Sequence, residues 1–150
     1  MVMVERQSPS QRSSFKTFRD LMTRWSDNDI YGHMNNVVHY SLFDTAINGF
    51  LIEHGALDIK RGADVFLVVE TGCRYHAELQ FPDEISAGLR VAKLGRSSVR
   101  YEIGLFRNEE TTAAAEGFFV HVSVNRLSRR PSSISPVTRR LLEPLLVQEG

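Results

Sequence analysis

Cysteine, long apolar runs and net charge are each scarce or absent in this sequence, and each absence excludes a class of protein. The chain has one cysteine, Cys73, which excludes an intramolecular disulfide and leaves no thiolate set for a structural zinc site. The 18 basic and 18 acidic residues cancel, so no overall field favours nucleic acid or an anionic membrane as a partner. No apolar run approaches the roughly 18 residues that span a bilayer. These features favour a reducing compartment, and we expect a cytoplasmic protein.

Length and local composition predict one domain preceded by a short arm. A chain of 150 residues matches the usual size of a single domain. Residues 1–14 include a stretch rich in Ser, Gln and Arg without an apolar period, so we expect a mobile arm there, with an organelle-targeting segment as the minor alternative. Residues 15–150 are expected to form the domain.

The apolar pattern predicts one long helix that is buried on most of its surface. Between Asn36 and His54 no proline occurs, and apolar residues recur at three- and four-residue spacings over most of the circumference. Gly55 is expected to end this helix, because glycine adopts the left-handed conformation without steric cost. A helix of this kind must be wrapped by other elements.

Alternating apolar residues predict the strands that do the wrapping. A weak period-2 pattern indicates a first strand at 15–24, and stronger patterns indicate strands at 65–81, 85–94, 98–107 and 113–127. The connections are too short for parallel crossovers, so neighbouring strands must be antiparallel. Ser135 is expected to cap a short closing helix. The predicted fold class is α+β, with an antiparallel curved sheet wrapped around one long central helix.

The densest group of polar side chains lies between the first strand and the long helix. A helix N-terminus presents unpaired N–H groups and the positive end of a dipole, which can polarise a carbonyl or hold an oxyanion. A nearby carboxylate can attack a thioester or activate water, so thioester hydrolysis here needs no metal and no cofactor. The group comprises Asp27, Asn28, Asp29, Tyr31, His33, Asn35 and Asn36.

The segment Arg24-Trp25-Ser26-Asp27-Asn28-Asp29-Ile30-Tyr31-Gly32-His33-Met34-Asn35-Asn36, followed by Tyr40, resembles the signature of the 4-hydroxybenzoyl-CoA thioesterase family. The resemblance covers roughly residues 15–127 and includes the order of the predicted elements. It implies a hotdog fold and hydrolysis of an acyl-CoA thioester to a free acid and CoA. It also implies a homodimer or homotetramer, with active sites at the subunit interfaces.

The same resemblance assigns roles to individual residues. It makes Asp29 the nucleophile or general base, with His33 and Asn36 as its catalytic companions. Asp44 replaces a glutamate that is common in the family, and it is the reserve candidate for the catalytic acid. The substrate-binding residues that we expect are Tyr31, Gly32, Asn35 and Tyr40 near the thioester, and Arg96, Ser97 and Ser98 in the hairpin that would hold CoA.

Two alternative functions remain open on the sequence alone. An acyl-carrier-protein thioesterase has a similar Asp and His-x-Asn-Asn segment, so the sequence does not separate the two carriers. A non-catalytic acyl-CoA-binding hotdog protein is the second alternative, although the intact Asp29 argues against it. A hotdog hydratase fits less well, because the proline usual between its Asp and His is absent here.

Overall fold

The computed structural model describes residues 7–148 and consists of one antiparallel sheet with a long helix on one of its faces. Within these residues the spatial order of the strands is β1-β3-β4-β5-β2, and all sheet neighbours are antiparallel. The elements are β1 (Thr17–Met22), α1 (Val38–Glu53), β2 (Asp64–Tyr75), β3 (Glu84–Leu94), β4 (Ser98–Arg107), β5 (Ala115–Asn125) and α2 (Pro136–Leu142).

The core lies between α1 and the inner face of the sheet. Val99, Tyr101, Ile103 and Leu105 alternate along β4 and are fully buried, as the period-2 pattern predicted. Phe43 of α1 is also fully buried and lies over β5. One helix packed on one antiparallel sheet confirms the predicted α+β hotdog architecture.

A glycine in β5 permits the close approach of α1 to the sheet. A Cβ atom built on Gly117 would lie 2.3 Å from the ring of Phe43, well inside van der Waals contact. The absence of a side chain at this position therefore lets the Phe43 ring sit directly on the strand. Gly55 has a φ of +73° directly after the C-cap His54, which confirms it as the end of α1.

The bounds of several predicted elements differ from the structure, among them β5, which is Ala115–Asn125 rather than 113–127. The long helix begins at Val38 rather than residue 36, because Asn35 and Asn36 belong to the preceding turn. The first strand is shorter than 15–24, since Phe15 leaves the ladder and packs on the outer face of the sheet against Phe106. The largest difference is in β2, which ends at Tyr75 and not at residue 81.

The end of β2 has a local cause. The backbone amides of His76 and Ala77 both donate to the carbonyl oxygen of Ala114, at 2.8 and 2.9 Å, which breaks the one-to-one ladder with β5. The chain then turns toward α1, and Leu79 is buried in the core although it is no longer part of a strand. Residues 76–79 thereby become a wall beside the beginning of α1.

The predicted mobile arm, 1–14, is only partly inside the described residues. Residues 1–6 lie outside them, and the mobility of the arm stays a prediction. From Ser10 onward the arm is hydrogen-bonded to the connection between β4 and β5: the amide of Ala113 donates to the carbonyl of Ser10, and the amide of Arg12 donates to the carbonyl of Thr111. The side chain of Phe15 then covers the glycines at 88 and 104 on the outer face.

Candidate active site

The loop before α1 is closed on itself by backbone hydrogen bonds. The amide of Asp29 donates to the carbonyl of His33 at 2.7 Å, and the amide of Gly32 donates to the carbonyl of Asp29 at 3.1 Å. Gly32 has a φ of +84°, which a residue with a side chain rarely adopts. The spacing Asp-x-x-Gly-His therefore follows from the geometry of a tight turn.

The carboxylate of Asp29 is held by this turn through one of its two oxygens. Oδ1 accepts hydrogen bonds from the amides of Tyr31 at 2.8 Å and His33 at 3.3 Å. Among residues 7–148 no donor reaches the other oxygen, so it is free to meet a water or a substrate. Asp27, in contrast, is buried and accepts from the backbone and guanidinium of Arg24, which makes it a structural residue.

A cavity of about 360 Å³ opens beside Asp29. One side is the loop and the first turn of α1, and the other is the wall formed by residues 76–79. The amide of Met34 donates to the carbonyl of Leu79 at 2.7 Å and fastens the wall to the loop. The lining residues are Asp29, Tyr31, His33, Met34, Asn36, His39, Tyr75, His76, Ala77, Glu78 and Leu79.

Two of the three histidines that line the cavity, His33 and His39, differ in their environment. His33 is half-exposed, and its Nδ1 lies 3.3 Å from a carboxylate oxygen of Glu78, an ion pair when the ring is protonated. His39 is buried, and its ring stands edge-on to Tyr75 with centroids 4.7 Å apart. Burial lowers the pKa of His39 below its usual value, against the opposing effect of the Asn36 and Asn35 backbone. His39 is therefore neutral near pH 7.

The wall is also fastened to the outer face of the sheet. Nε2 of His76 lies 2.8 Å from the carboxylate of Glu116, which also accepts a 3.0 Å hydrogen bond from the amide of Ser10. Burial alone would raise the pKa of Glu116, but the contacts with Ser10 and His76 outweigh it and lower the pKa. The N-terminal arm and the cavity wall thus share one carboxylate.

Comparison with known proteins identifies the family. The model of the thioesterase-like superfamily matches residues 23–142, which include the loop, the cavity and most of the elements that position them. The chain belongs to the thioesterase-like superfamily.

Solved structures of other proteins support this membership. The PA5185 protein of Pseudomonas aeruginosa strain PAO1 is 48% identical, with a TM-score of 0.91 over 96% of this chain and 100% of that one. A thioesterase of Thermus thermophilus, complexed with coenzyme A and Zn, is 27% identical, with a TM-score of 0.73 over 88% of this chain and 95% of that one.

One curated relative is an uncharacterized acyl-CoA thioester hydrolase, ZMO0511, of Zymomonas mobilis. It is 32% identical over 84 residues, which are 53% of this chain and 56% of the relative. The chain therefore aligns with a little over half the length of that relative.

The structure brings four of the predicted site residues of this superfamily member together in the cavity: Asp29, Tyr31, His33 and Asn36. Gly32 and Asn35 support the loop without lining the cavity. The side chain of Asn35 accepts from the amide of Val37 at 3.2 Å, directly before the helix. None of these positions tests the catalytic roles, which stay predictions.

The remaining predicted residues lie away from the cavity of the same chain. Tyr40 packs its ring against Phe43 in the core, and Asp44 is exposed and accepts a hydrogen bond from Asn48. The hairpin with Arg96, Ser97 and Ser98 follows β3, whereas the cavity lies beside the beginning of β3. The 11 residues of β3 separate the two, which is about 35 Å at 3.3 Å per residue.

Sequence reasoning missed His39 and the wall residues of the cavity. His39 had a usable signal, since it lies three and four residues before the buried Leu42 and Phe43 and so shares their helix face. The wall had none, because residues 76–79 continue the apolar alternation of β2 and only the bulge at Ala114 takes them out of the sheet.

The described part of the chain contains neither a candidate metal site nor a membrane-spanning helix. Among residues 7–148, no three His, Cys, Asp or Glu side chains are grouped so that they could hold a metal ion. No helix in that range has the length and apolar character needed to cross a membrane. The expected cytoplasmic location stays a prediction from the composition.

Proposed function

We propose that this protein is an acyl-CoA thioesterase of the 4-hydroxybenzoyl-CoA thioesterase type, with Asp29 as its central catalytic carboxylate. The observation that carries this proposal is the free Oδ2 of Asp29, held by the turn at the edge of a cavity beside the beginning of α1. The names of the Zymomonas and Thermus relatives, an acyl-CoA thioester hydrolase and a thioesterase complexed with coenzyme A, favour the same substrate class.

The chemistry that we propose needs only the chain and water. Asp29 either attacks the thioester carbonyl carbon, which expels the CoA thiolate and leaves a mixed anhydride for water to hydrolyse, or it takes a proton from a water that attacks the same carbon. The beginning of α1 polarises the carbonyl oxygen in either case. His33 and Asn36 lie beside Asp29 and position the water or the carbonyl, and no metal or cofactor takes part.

The position of the hairpin favours a homodimer as the working unit. Within residues 7–148, β2 is an edge strand whose free edge has no partner. Its exposed residues include Leu67, Val68 and Val69, which is unusual for an edge that faces water. If β2 pairs antiparallel with β2 of a second copy, the partner's hairpin lies at the cavity end, where its Arg96, Ser97 and Ser98 can hold the CoA phosphates.

Light scattering tests the assembly directly. We expect the native protein at twice its chain mass of 17.0 kDa, or at four times if two dimers associate. Val69→Lys places a charge on the free edge and should give the monomer, whereas Val137→Lys, on the exposed surface of α2, should not. A native monomer would overturn the proposed dimer.

Thiol release from a panel of aliphatic and aromatic acyl-CoAs tests the function. We expect rapid release of CoA from at least one class of acyl group, without added metal. Release only from acyl-carrier-protein thioesters would favour the carrier-protein alternative. Tight binding of CoA esters without release would favour the non-catalytic alternative and contradict the proposed hydrolysis.

A further inference from the structure

The cavity beside Asp29 has an exposed rim and a buried floor. Asp29, Tyr31 and Glu78 lie at the rim, where each is at least partly exposed. Three lining side chains are almost completely buried and form the floor: Met34 at 3%, His39 at 3% and Leu79 at 1% exposure. His39 is therefore the polar side chain of an otherwise apolar floor.

The ring of His39 lacks a hydrogen bond at this buried position. Its Nδ1 atom is inaccessible to solvent and has no partner within residues 7–148. The other ring nitrogen, Nε2, also has no hydrogen bond in this range but is open to solvent, so it is the atom that a ligand in the cavity can reach. Because an enclosed polar atom without a partner is unfavourable, a ligand that forms a hydrogen bond with Nε2 binds better than one that leaves it unpaired.

The volume of the cavity and the position of Asp29 determine the direction in which the substrate enters. The thioester carbonyl must lie beside the free oxygen of Asp29 at the rim. The CoA part of the substrate is too large for a cavity of about 360 Å³, so it extends outward, and the acyl group extends toward the floor. The far end of a short acyl group then meets Met34, Leu79 and the ring of His39.

We propose that His39 is a specificity-determining residue that selects acyl groups carrying a hydroxyl or a similar hydrogen-bonding substituent over plain hydrocarbon acyl groups. This inference rests on the proposed thioesterase function and names its substrate class. A neutral imidazole has one donor and one acceptor nitrogen, so a hydroxyl can pair with either tautomer. A site with a buried polar group also rejects the analogue that leaves the group unpaired.

Matched pairs of acyl-CoAs that differ by one hydroxyl test this selection. Suitable pairs are butanoyl-CoA with 3-hydroxybutanoyl-CoA, and phenylacetyl-CoA with 4-hydroxyphenylacetyl-CoA. The quantity of interest is the ratio of the kcat/KM values within a pair. We expect the native enzyme to favour the hydroxylated member of at least one pair by about tenfold or more, as one net hydrogen bond allows.

Three variants separate selection from a structural role. His39→Leu removes the hydrogen-bonding nitrogens and should shift the ratio by about tenfold toward the hydrocarbon member. His39→Gln restores a donor and an acceptor and should recover part of the preference. His54→Leu changes an exposed histidine at the other end of α1 and should leave the ratio as it is in the native enzyme.

An unchanged ratio in His39→Leu would overturn the proposal, even if both rates fell, because a structural role lowers both members alike. A native enzyme that prefers the hydrocarbon member of both pairs would also overturn it. Calorimetric binding of the same pairs gives the ratio without turnover. If the native chain binds CoA esters but releases no thiol, the thioesterase function fails, while the binding ratio still decides the role of His39.

Discussion

Two buried histidines occupy opposite ends of the space between α1 and the sheet, and neither has the hydrogen bonds that its ring can form. His39 lines the cavity that contains Asp29, whereas His121 lies on β5 toward the hairpin end, enclosed by the rings of Phe66, Tyr101 and Phe119. Both nitrogens of His121 are buried without a partner among residues 7–148. The same residue type thus faces a cavity at one end and a closed aromatic cage at the other.

The two histidines show that the effect of an unpaired buried group depends on whether a ligand can reach it. At the open end a substrate can supply the missing partner, so the cost of burying His39 contributes to specificity. At the closed end no ligand enters, and the cost of burying His121 falls on the stability of the fold. Phe43 divides the two ends, because its ring lies on Gly117 and contacts Phe119.

Removal of the Phe43 ring has the largest expected effect on the stability of the fold. Phe43→Ala leaves a cavity at a position that is now fully buried, and we expect a loss of about 3–5 kcal/mol in the free energy of unfolding, measured with urea. Phe18→Ala, at a ring that is 43% exposed, is the control and should lose clearly less. Equal losses in the two variants would contradict the buried position of Phe43 in the core.

The second-largest expected effect is a loss of stability on acidification, caused by His121 at the closed end. Burial lowers the pKa of His121 to about 4, from 6.5 in the unfolded chain. Between pH 6.5 and 4 the His121 ring is protonated in the unfolded chain but neutral in the folded protein. The contribution of His121 to the free energy of unfolding is therefore fully present above pH 6.5 and is lost as the pH falls toward 4. The share of His121 in this loss is at most about 3 kcal/mol.

His121→Leu isolates that share, because it removes the titrating ring and leaves the carboxylates in place. We expect urea unfolding of the variant to depend less on pH between 6.5 and 4 than unfolding of the native chain. His39 and Glu116 also have lowered pKa values, so part of the dependence should remain. Parallel pH profiles of the variant and the native protein would contradict the buried neutral state of His121.

The smallest expected effect concerns two tyrosine hydroxyls. The hydroxyl of Tyr101 is buried without a partner in the described chain, so Tyr101→Phe should raise the free energy of unfolding by up to about 1 kcal/mol. Tyr75 donates to Asn36, so Tyr75→Phe should lower it by a similar amount. Thermal unfolding measures both, and a loss in Tyr101→Phe would indicate a bond that the structure does not contain.

The sequence predicted those parts of the fold that depend on local periodicity. The bounds of β4 were predicted correctly at 98–107, because Val99, Tyr101, Ile103 and Leu105 alternate without interruption. The long helix was also predicted, since most of its circumference is apolar. The turn that holds Asp29 was located by its Asp, Gly and His, whose spacing is a local property of the chain.

The sequence did not predict features that depend on contacts between distant segments. The wall at 76–79 exists because Ala114 accepts from two successive amides, and a period-2 pattern does not show this bulge. The cavity beside His39 needs that wall, so its composition was hidden as well. The docking of the arm through Ser10 and Glu116 joins residues 106 positions apart, which local composition cannot indicate.

The most direct test of the central claim compares kcat for thiol release in the native enzyme with kcat in Asp29→Asn and Asp44→Asn. We expect kcat to fall by at least about 10³-fold in Asp29→Asn, whose amide can still accept the hydrogen bonds of the turn but can neither attack the thioester nor take a proton from water. Asp44→Asn, on the exposed face of α1, should retain native turnover. Native turnover in Asp29→Asn would contradict a catalytic role for Asp29, and loss of turnover in Asp44→Asn alone would assign the chemistry to Asp44.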